Sequence, residues 1–146
     1  MATLYNSIII QASSEQIWNI LADPARLDQY DPVTKKSELI SKIITGLGAE
    51  RKCETAAGWF KDKITEWQPH EKLTFTLTGC SQPMKSLEHS YTLRKVGNQT
   101  EVSQVMKYTM KFGLLGKLLD ALIGKRQSDK QIKLFFQGLK KYVEKN

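Results

Sequence analysis

The sequence predicts an α+β fold in which a curved antiparallel sheet of about seven strands wraps around a long C-terminal helix, with two short helices between strands 1 and 2. Three patterns carry this prediction. Residues 3–11 are rich in β-branched side chains, residues 33–112 alternate with a period of two, and residues 114–144 carry apolar side chains every three or four positions. No repeat or flexible linker interrupts the chain, so we expect residues 1–146 to form one domain.

The N-terminal segment contains a strand and two short helices. Thr3–Gln11 is the first predicted strand. A capping box follows, in which Ser13 can accept a hydrogen bond from the amide of Gln16, and the helix that it opens must stop before Pro24. We expect a second short helix over Ala25–Gln29, because proline suits the first turn of a helix.

The central part of the sequence predicts a six-stranded antiparallel meander. Its alternating segments are separated by short turns that contain glycine, proline or asparagine. The predicted strands are Thr34–Ile44, Ala49–Thr55, Trp59–Trp67, Lys72–Thr78, Lys85–Lys95 and Thr100–Phe112.

The last segment, Leu114–Glu144, predicts one long amphipathic helix. Its apolar stripe is interrupted at Gly124–Asp129, which is consistent with a bend or with a polar window over the sheet. A second helix that begins near Ser128 and a simple surface kink are the two alternatives.

Net charge is +7, and the basic residues concentrate in the predicted C-terminal helix. We interpret them as a solubilising face and expect no nucleic-acid partner, because the chain lacks the patterns of RNA-binding sheets and DNA-reading helix pairs. A membrane surface is a possible but less favoured partner. The oligomeric state is not indicated by the sequence. The basic residues are Lys117, Lys125, Arg126, Lys130, Lys133, Lys140, Lys141 and Lys145.

Cys53 and Cys80 have neither metal-binding nor disulfide-framework spacing and are interpreted as small apolar side chains. With no signal peptide and no apolar run of membrane-spanning length, we expect a cytoplasmic protein. Phosphate-binding loops, metal-ligand pairs and a serine nucleophile elbow are missing from the sequence, so we expect no cofactor and no metal.

Strand alternation predicts which side chains face the helix and form a ligand pocket. An apolar wall with a few placed polar groups is typical of small-molecule sites. The predicted ligand-binding residues are Arg51, Asp62, Phe75, Leu77, Leu87, His89, Tyr91, Gln104, Met106, Tyr108, Leu122, Ile132 and Phe136.

His89 is the candidate catalytic residue, because an imidazole can act as a general base in an aldol-type cyclisation. Its alternatives are a contact to the ligand and a purely structural histidine. Arg51 and Asp62 are expected to pair on adjacent strands, either as a structural ion pair or as a group that orients a charged ligand.

The residues from Ile8 to Pro24, with Ala12, Ile17-Trp18 and Leu21-Ala22-Asp23-Pro24, resemble the opening of the polyketide cyclase/dehydrase and lipid-transport family. Asp62–Pro69 and Leu139–Glu144 resemble later segments of the same family, so the similarity covers residues 3–144. This family belongs to the START-like, birch-pollen-allergen-like (SRPBCC) superfamily. The resemblance implies a helix-grip fold, and it implies no particular ligand, because lipid carriers, aromatases, cyclases and hormone receptors share that fold.

We therefore expect a module that binds a hydrophobic small molecule such as a lipid or polyketide, with transport of that molecule as an extension of this role. One alternative is an enzyme, a polyketide cyclase, aromatase or dehydrase of lyase or isomerase type that uses His89 as its acid/base. The other is a membrane-surface or partner-protein module that uses the basic C-terminal helix.

Overall fold

Seven antiparallel strands form one sheet in the computed structural model, which describes residues 1–145. The strands are paired in the order β1-β7-β6-β5-β4-β3-β2, so the predicted meander is confirmed and β1 joins it along the edge of β7. The strands are β1 (Ala2–Ile10), β2 (Thr34–Leu39), β3 (Glu50–Thr55), β4 (Gly58–Gln68), β5 (Lys72–Cys80), β6 (Met84–Val96) and β7 (Gln99–Met110).

Two short helices, α1 (Ser14–Leu21) and α2 (Leu27–Tyr30), lie between β1 and β2 as predicted. The side chain of Ser13 caps α1 by accepting a 3.1 Å hydrogen bond from the amide of Gln16. Helix α2 begins two residues later than predicted, because Asp23 accepts a hydrogen bond from the amide of Ala25 and holds the preceding residues in a turn.

Strand β2 is shorter than predicted: it ends at Leu39 instead of Ile44. The hydroxyl of Ser41 accepts a hydrogen bond from the amide of Glu50 and donates one to the carbonyl of Ile43. These bonds satisfy the backbone locally, so the chain leaves the sheet and forms a loop.

The C-terminal helix is continuous over residues 113–145, which confirms the predicted long helix and excludes the alternative of a second helix that begins near Ser128. The helix consists of α3 (Gly113–Leu119), a π-helical turn (Asp120–Gly124) and α4 (Lys125–Lys145). The π-helical turn adds a residue to one turn without ending the helix. The side of the helix that faces the sheet therefore changes at this point, where the apolar stripe is interrupted.

Helix α4 packs across the sheet and closes the core. Its buried side chains are Ile132, Phe135, Phe136, Leu139 and Val143. Gly138 allows a close approach to α2, because a Cβ at this position would lie 2.1 Å from the carbonyl oxygen of Tyr30. Along the described chain, no helix is both long enough and apolar enough to cross a membrane.

Candidate functional site

A cavity of about 450 Å³ lies between the inner face of the sheet and α4. The concave sheet provides its base, and the α2–β2 segment and the β3–β4 and β5–β6 turns provide its rim. A cavity of this volume is in the range of small-molecule sites. The wall residues discussed below are Arg51, Leu77, Cys80, Met84, Leu87, His89, Tyr91, Gln104, Met106, Ile132 and Phe135.

Most of the predicted ligand-binding residues line this cavity. They come from four strands and the helix, and their approach follows from the antiparallel register, which places His89 opposite Phe75 and Tyr91 opposite Gln104. The predicted residues on the cavity wall are Arg51, Leu77, Leu87, His89, Tyr91, Gln104, Met106 and Ile132.

Two further predicted residues lie behind the wall and support it. Asp62 and Phe75 are almost completely buried and contact Arg51 from two sides. The guanidinium carbon of Arg51 lies 4.0 Å from the centre of the Phe75 ring, a favourable cation–π arrangement. These residues position a wall group without lining the cavity themselves.

The remaining three predicted residues lie elsewhere. Tyr108 points to the C-terminal helix, where its hydroxyl lies 2.8 Å from both carboxylate oxygens of Asp120. Leu122 was expected in the cavity, but it is 63% exposed and faces outward. Phe136 is buried in the core outside the cavity, and its neighbour Phe135 is the residue that lines the wall.

Arg51 and Asp62 form a buried bidentate ion pair across β3 and β4. Arg51 Nε lies 2.8 Å from Asp62 Oδ1, and Arg51 Nη2 lies 3.2 Å from Asp62 Oδ2. Burial alone would raise the pKa of Asp62, but the guanidinium charge and the hydrogen bonds from His89 and Arg51 outweigh it and hold that pKa below its usual value. Both side chains therefore remain ionised at neutral pH, and the pair has no net charge.

His89 extends this pair to the cavity surface. Its Nε2 lies 3.4 Å from Asp62 Oδ2, and its ring is stacked on Tyr91 with an interplanar angle of 23°. A carboxylate at Nε2 favours the tautomer that carries the proton there, which leaves Nδ1 as an acceptor. This arrangement supplies a fixed imidazole that can accept a proton or a hydrogen bond.

Tyr91 and Gln104 form a second polar pair on the wall. The amide Nε2 of Gln104 donates a 2.9 Å hydrogen bond to the Tyr91 hydroxyl. The other amide atom, Gln104 Oε1, is the one buried side-chain nitrogen or oxygen in residues 1–145 without a hydrogen-bond partner. Phe135 packs against the Tyr91 ring on one side and His89 on another, and Met106 follows on β7.

Cys80 and Met84 also line the cavity, and strand alternation did not predict them. The register of β5 against β4 shifts between Leu77 and Gly79, and that of β6 against β7 shifts between Met84 and Ser86. Each β-bulge reverses the alternation beyond it. No local pattern in the sequence indicates these bulges.

The β3–β4 turn at the rim is tied to the β5–β6 turn by Ser81. Its hydroxyl accepts a 2.9 Å hydrogen bond from the amide of Trp59. Gly58 has a φ of +139°, and a Cβ there would overlap the Ser81 hydroxyl, so glycine is required. The approach of Gly58 to Ser81 depends on the long-range pairing of the strands.

In the part of the chain that the structure describes, no group of three or more histidine, cysteine, aspartate or glutamate side chains is arranged to hold a metal ion. On the sheet side, the polar groups of the cavity include one neutralised ion pair, one imidazole and one hydroxyl–amide pair. The rim and α4 add further polar side chains, among them Thr34, Gln127, Ser128 and Gln131. These groups can bind and orient an organic ligand and can exchange a proton with it.

Solved structures share this architecture. A protein from Thermus thermophilus aligns with a TM-score of 0.82 at 16% identity, over 97% of each chain. A START superfamily protein from Mycobacterium smegmatis aligns with a TM-score of 0.79 at 15% identity, over 98% of this chain and 97% of that one. The di-domain ARO/CYC protein BexL aligns with a TM-score of 0.80 at 17% identity, over 99% of this chain and 47% of BexL. At these identities the likeness shows the fold alone.

No curated protein sequence matches this chain significantly. Residues 1–144 match the sequence profile of the family described as polyketide cyclase / dehydrase and lipid transport. The match agrees with the helix-grip architecture of the seven-stranded sheet and the C-terminal helix. The chain therefore belongs to the polyketide cyclase/dehydrase and lipid-transport family, within the START-like fold group.

Proposed function

We propose that this protein binds a hydrophobic small molecule in the cavity between the sheet and α4. The cavity itself carries the proposal: about 450 Å³ of space is lined by apolar side chains, such as Leu77, Leu87 and Met106, with polar side chains interspersed among them. A chain that needed only a stable core would gain by filling this space, because cavities lose packing energy. Family membership supports the same role.

The buried Arg51–Asp62 pair is compatible with an uncharged ligand. Arg51 and Asp62 neutralise each other, and their side chains are 4% and 1% exposed. A ligand that replaces water in the cavity therefore meets no unpaired charge at this point, and its apolar surface supplies the driving force.

A cavity-filling substitution tests this role. Leu77→Trp places an indole in the cavity and should reduce the binding of 1-anilinonaphthalene-8-sulfonate, followed by its fluorescence, at least about tenfold. The control Tyr5→Trp adds an indole at a residue that is 74% exposed on β1 and should bind the dye normally. Equal binding by both variants would contradict the proposal, and native mass spectrometry of the purified protein would identify a retained ligand.

The contact between His89 and Asp62 favours a second candidate function, a cyclase-type enzyme. An imidazole held by a carboxylate can remove a proton from a carbon next to a carbonyl, and the resulting enolate can attack a second carbonyl. His89→Gln should abolish the protein's acceleration of deuterium exchange at the central carbon of benzoylacetone, measured by NMR. The control His70→Gln changes an exposed turn histidine and should exchange normally. Exchange that survives in His89→Gln would exclude His89 as the base.

A further inference from the structure

The Tyr91–Gln104 pair, whose two residues line the cavity, has unused hydrogen-bonding capacity. Gln104 is 3% exposed and lines the wall, and its Oε1 accepts nothing within residues 1–145. A buried acceptor without a partner costs about 1–3 kcal/mol of folding free energy in typical proteins, so such an atom calls for a donor.

The hydroxyl of Tyr91 is the other half of this feature. It accepts the hydrogen bond from Gln104 Nε2, and across residues 1–145 that is its one hydrogen bond. Its own hydrogen is therefore available to a further acceptor. One wall position thus offers a donor, the Tyr91 O–H, beside an acceptor, Gln104 Oε1.

Resting on the proposed binding function, we propose that this pair recognises a hydroxyl group of the ligand, so that the natural ligand is an apolar alcohol or phenol. A hydroxyl accepts from Tyr91 and donates to Gln104 Oε1 at the same time. A ketone, ester or ether oxygen only accepts, and it would leave Gln104 Oε1 unpartnered. An ammonium group would lack compensation, because the nearby carboxylate of Asp62 is already paired with Arg51.

The apolar surroundings make this position selective. Phe135 lies 5.7 Å from the Tyr91 ring centre to centre, and Ile132 and Met106 line the same cavity. In such a wall a site built to hydrogen-bond a hydroxyl rejects analogues that lack it, because its own polar atoms remain unpaired. The pair therefore sets the orientation as well as the class of ligand.

The test compares 2-naphthol with 2-methylnaphthalene, which differ by a hydroxyl in place of a methyl group of similar size. Both are measured by displacement of 1-anilinonaphthalene-8-sulfonate. We expect 2-naphthol to bind about tenfold more tightly, as one to two net hydrogen bonds predict. Equal displacement would overturn the hydroxyl proposal and leave the binding function intact, whereas displacement by neither compound would count against the binding function.

Two variants assign the preference to this pair. Gln104→Leu and Tyr91→Phe should each reduce the preference for 2-naphthol to about twofold or less, while binding of 2-methylnaphthalene is retained. Gln104→Leu removes the unpartnered Oε1 together with the hydrogen bond from Nε2 to the Tyr91 hydroxyl, so the melting temperatures of both variants are measured to verify that they fold. The control Gln131→Leu makes the same change on the helix side of the cavity and should keep the full preference. A preference that survives in both pair variants would contradict the assignment.

A second feature, independent of the cavity contents, is the exposed apolar segment at the start of the C-terminal helix. It is defined by Phe112, Leu114, Leu115, Leu118, Leu119, Leu122 and Ile123, each at least half exposed. The spacing of its helical members places them on one face, while Gly116 and Asp120 face the sheet. An exposed apolar face of this extent on a domain surface marks an interaction site.

The charges around this segment indicate its partner. Lys111, Lys117, Lys125, Arg126 and Lys130 are exposed beside it. The two acids of the region are occupied within the fold, since Asp120 contacts Tyr108 and Asp129 contacts Asn6 and Lys133. We infer that this segment docks onto an anionic lipid bilayer, with its apolar face in the headgroup boundary and its basic residues at the phosphates.

Flotation with phosphatidylcholine vesicles containing 30% phosphatidylglycerol tests this docking. We expect binding that weakens with salt, and about a tenfold loss in the double variant Leu118→Ser/Leu122→Ser. The control Ile43→Ser/Ile44→Ser removes two exposed isoleucines from the β2–β3 loop and should float like the unchanged protein. No flotation of the unchanged protein would overturn the inference, as would a dimer in sedimentation that only Leu118→Ser/Leu122→Ser dissociates.

Discussion

The two halves of the C-terminal helix use apolar residues in opposite ways. In residues 125–145 the large apolar side chains are buried against the sheet, whereas in residues 113–124 Gly116 is the buried residue and the leucines face outward. The inward row of the first half consists of Gly116, Asp120 and Gly124, spaced four residues apart. Apolar spacing therefore indicates a helix in both halves, but it indicates the core-facing side only in the second.

The largest contrast is expected for leucine truncation. Leu139 is fully buried, so Leu139→Ala should lower the free energy of unfolding by about 3 kcal/mol through lost transfer energy and a residual cavity. Leu118 in the first half is more than half exposed, so Leu118→Ala should change it by less than about 0.5 kcal/mol. Urea unfolding measures both. A large loss in Leu118→Ala would show that the first half is packed in solution.

Each half also contains one glycine that permits a close backbone approach. A Cβ on Gly138 would lie 2.1 Å from the Tyr30 carbonyl oxygen, and one on Gly116 would lie 2.0 Å from that of Lys111. Gly138→Ala should cost about 1–3 kcal/mol of global stability, because α4 cannot move off α2 without opening the core. Gly116→Ala should instead displace the first half and raise its hydrogen exchange with little global effect. Equal urea midpoints for the two variants would contradict this difference.

The sequence was sufficient for the fold because most signals were local: the Ser13 cap, the alternation of the strands and the turns between them. It also indicated four polar groups of the cavity, since Arg51, His89, Tyr91 and Gln104 follow strand parity up to the bulges, whereas polar residues of the rim and of α4, such as Thr34 and Gln127, were not predicted. These predictions required only that strand side chains alternate with a period of two and that the more apolar face of the sheet is turned towards the helix.

The errors in the predicted site residues share one physical cause. Contacts between residues distant in sequence decide which side of a strand or helix faces the core. Leu122 was assigned inward because its stripe is apolar, but Tyr108 binds Asp120 and turns the polar face inward. Strand alternation did not place Cys80 and Met84 on the cavity wall, because bulges reverse the alternation near them. Neither a β-bulge nor a contact between a tyrosine and a carboxylate changes the spacing of apolar residues in the sequence, so neither can be predicted from that spacing.

The contact between Tyr108 and Asp120 is the main polar tie between the first half and the sheet. Burial and the adjacent carboxylate raise the pKa of Tyr108, so it stays protonated and donates throughout the neutral range. Tyr108→Phe should raise amide exchange over residues 113–124 about fivefold, as the loss of about 1 kcal/mol predicts, with exchange in α4 unchanged. The control Tyr5→Phe removes an exposed hydroxyl. Faster exchange throughout both halves would show that they open as one unit.

The smallest expected effect lies at the far end of the second half. Glu144 accepts hydrogen bonds from Lys140 Nζ and from the backbone amide of Gln11, at 2.8 and 2.9 Å, and thereby ties the last helical turn to the end of β1. The hydrogen bond from Lys140, followed by that from Gln11, holds the pKa of Glu144 below its usual value. Its carboxylate therefore contributes stability that is fully present above the pKa of the unfolded chain and is lost as the pH falls through the lower folded value.

Glu144→Gln should consequently lower the urea midpoint slightly at pH 7, where the unchanged protein has the ionised carboxylate. The difference should shrink as the pH falls through the acid range and vanish once Glu144 is protonated in the folded protein. Glu88→Gln, on the exposed side of β6, provides the control for loss of a negative charge from a protein of net charge +7. If the two variants follow the same pH dependence, the tie between Glu144 and Gln11 adds nothing beyond general charge, and the second half is held by its buried side chains alone.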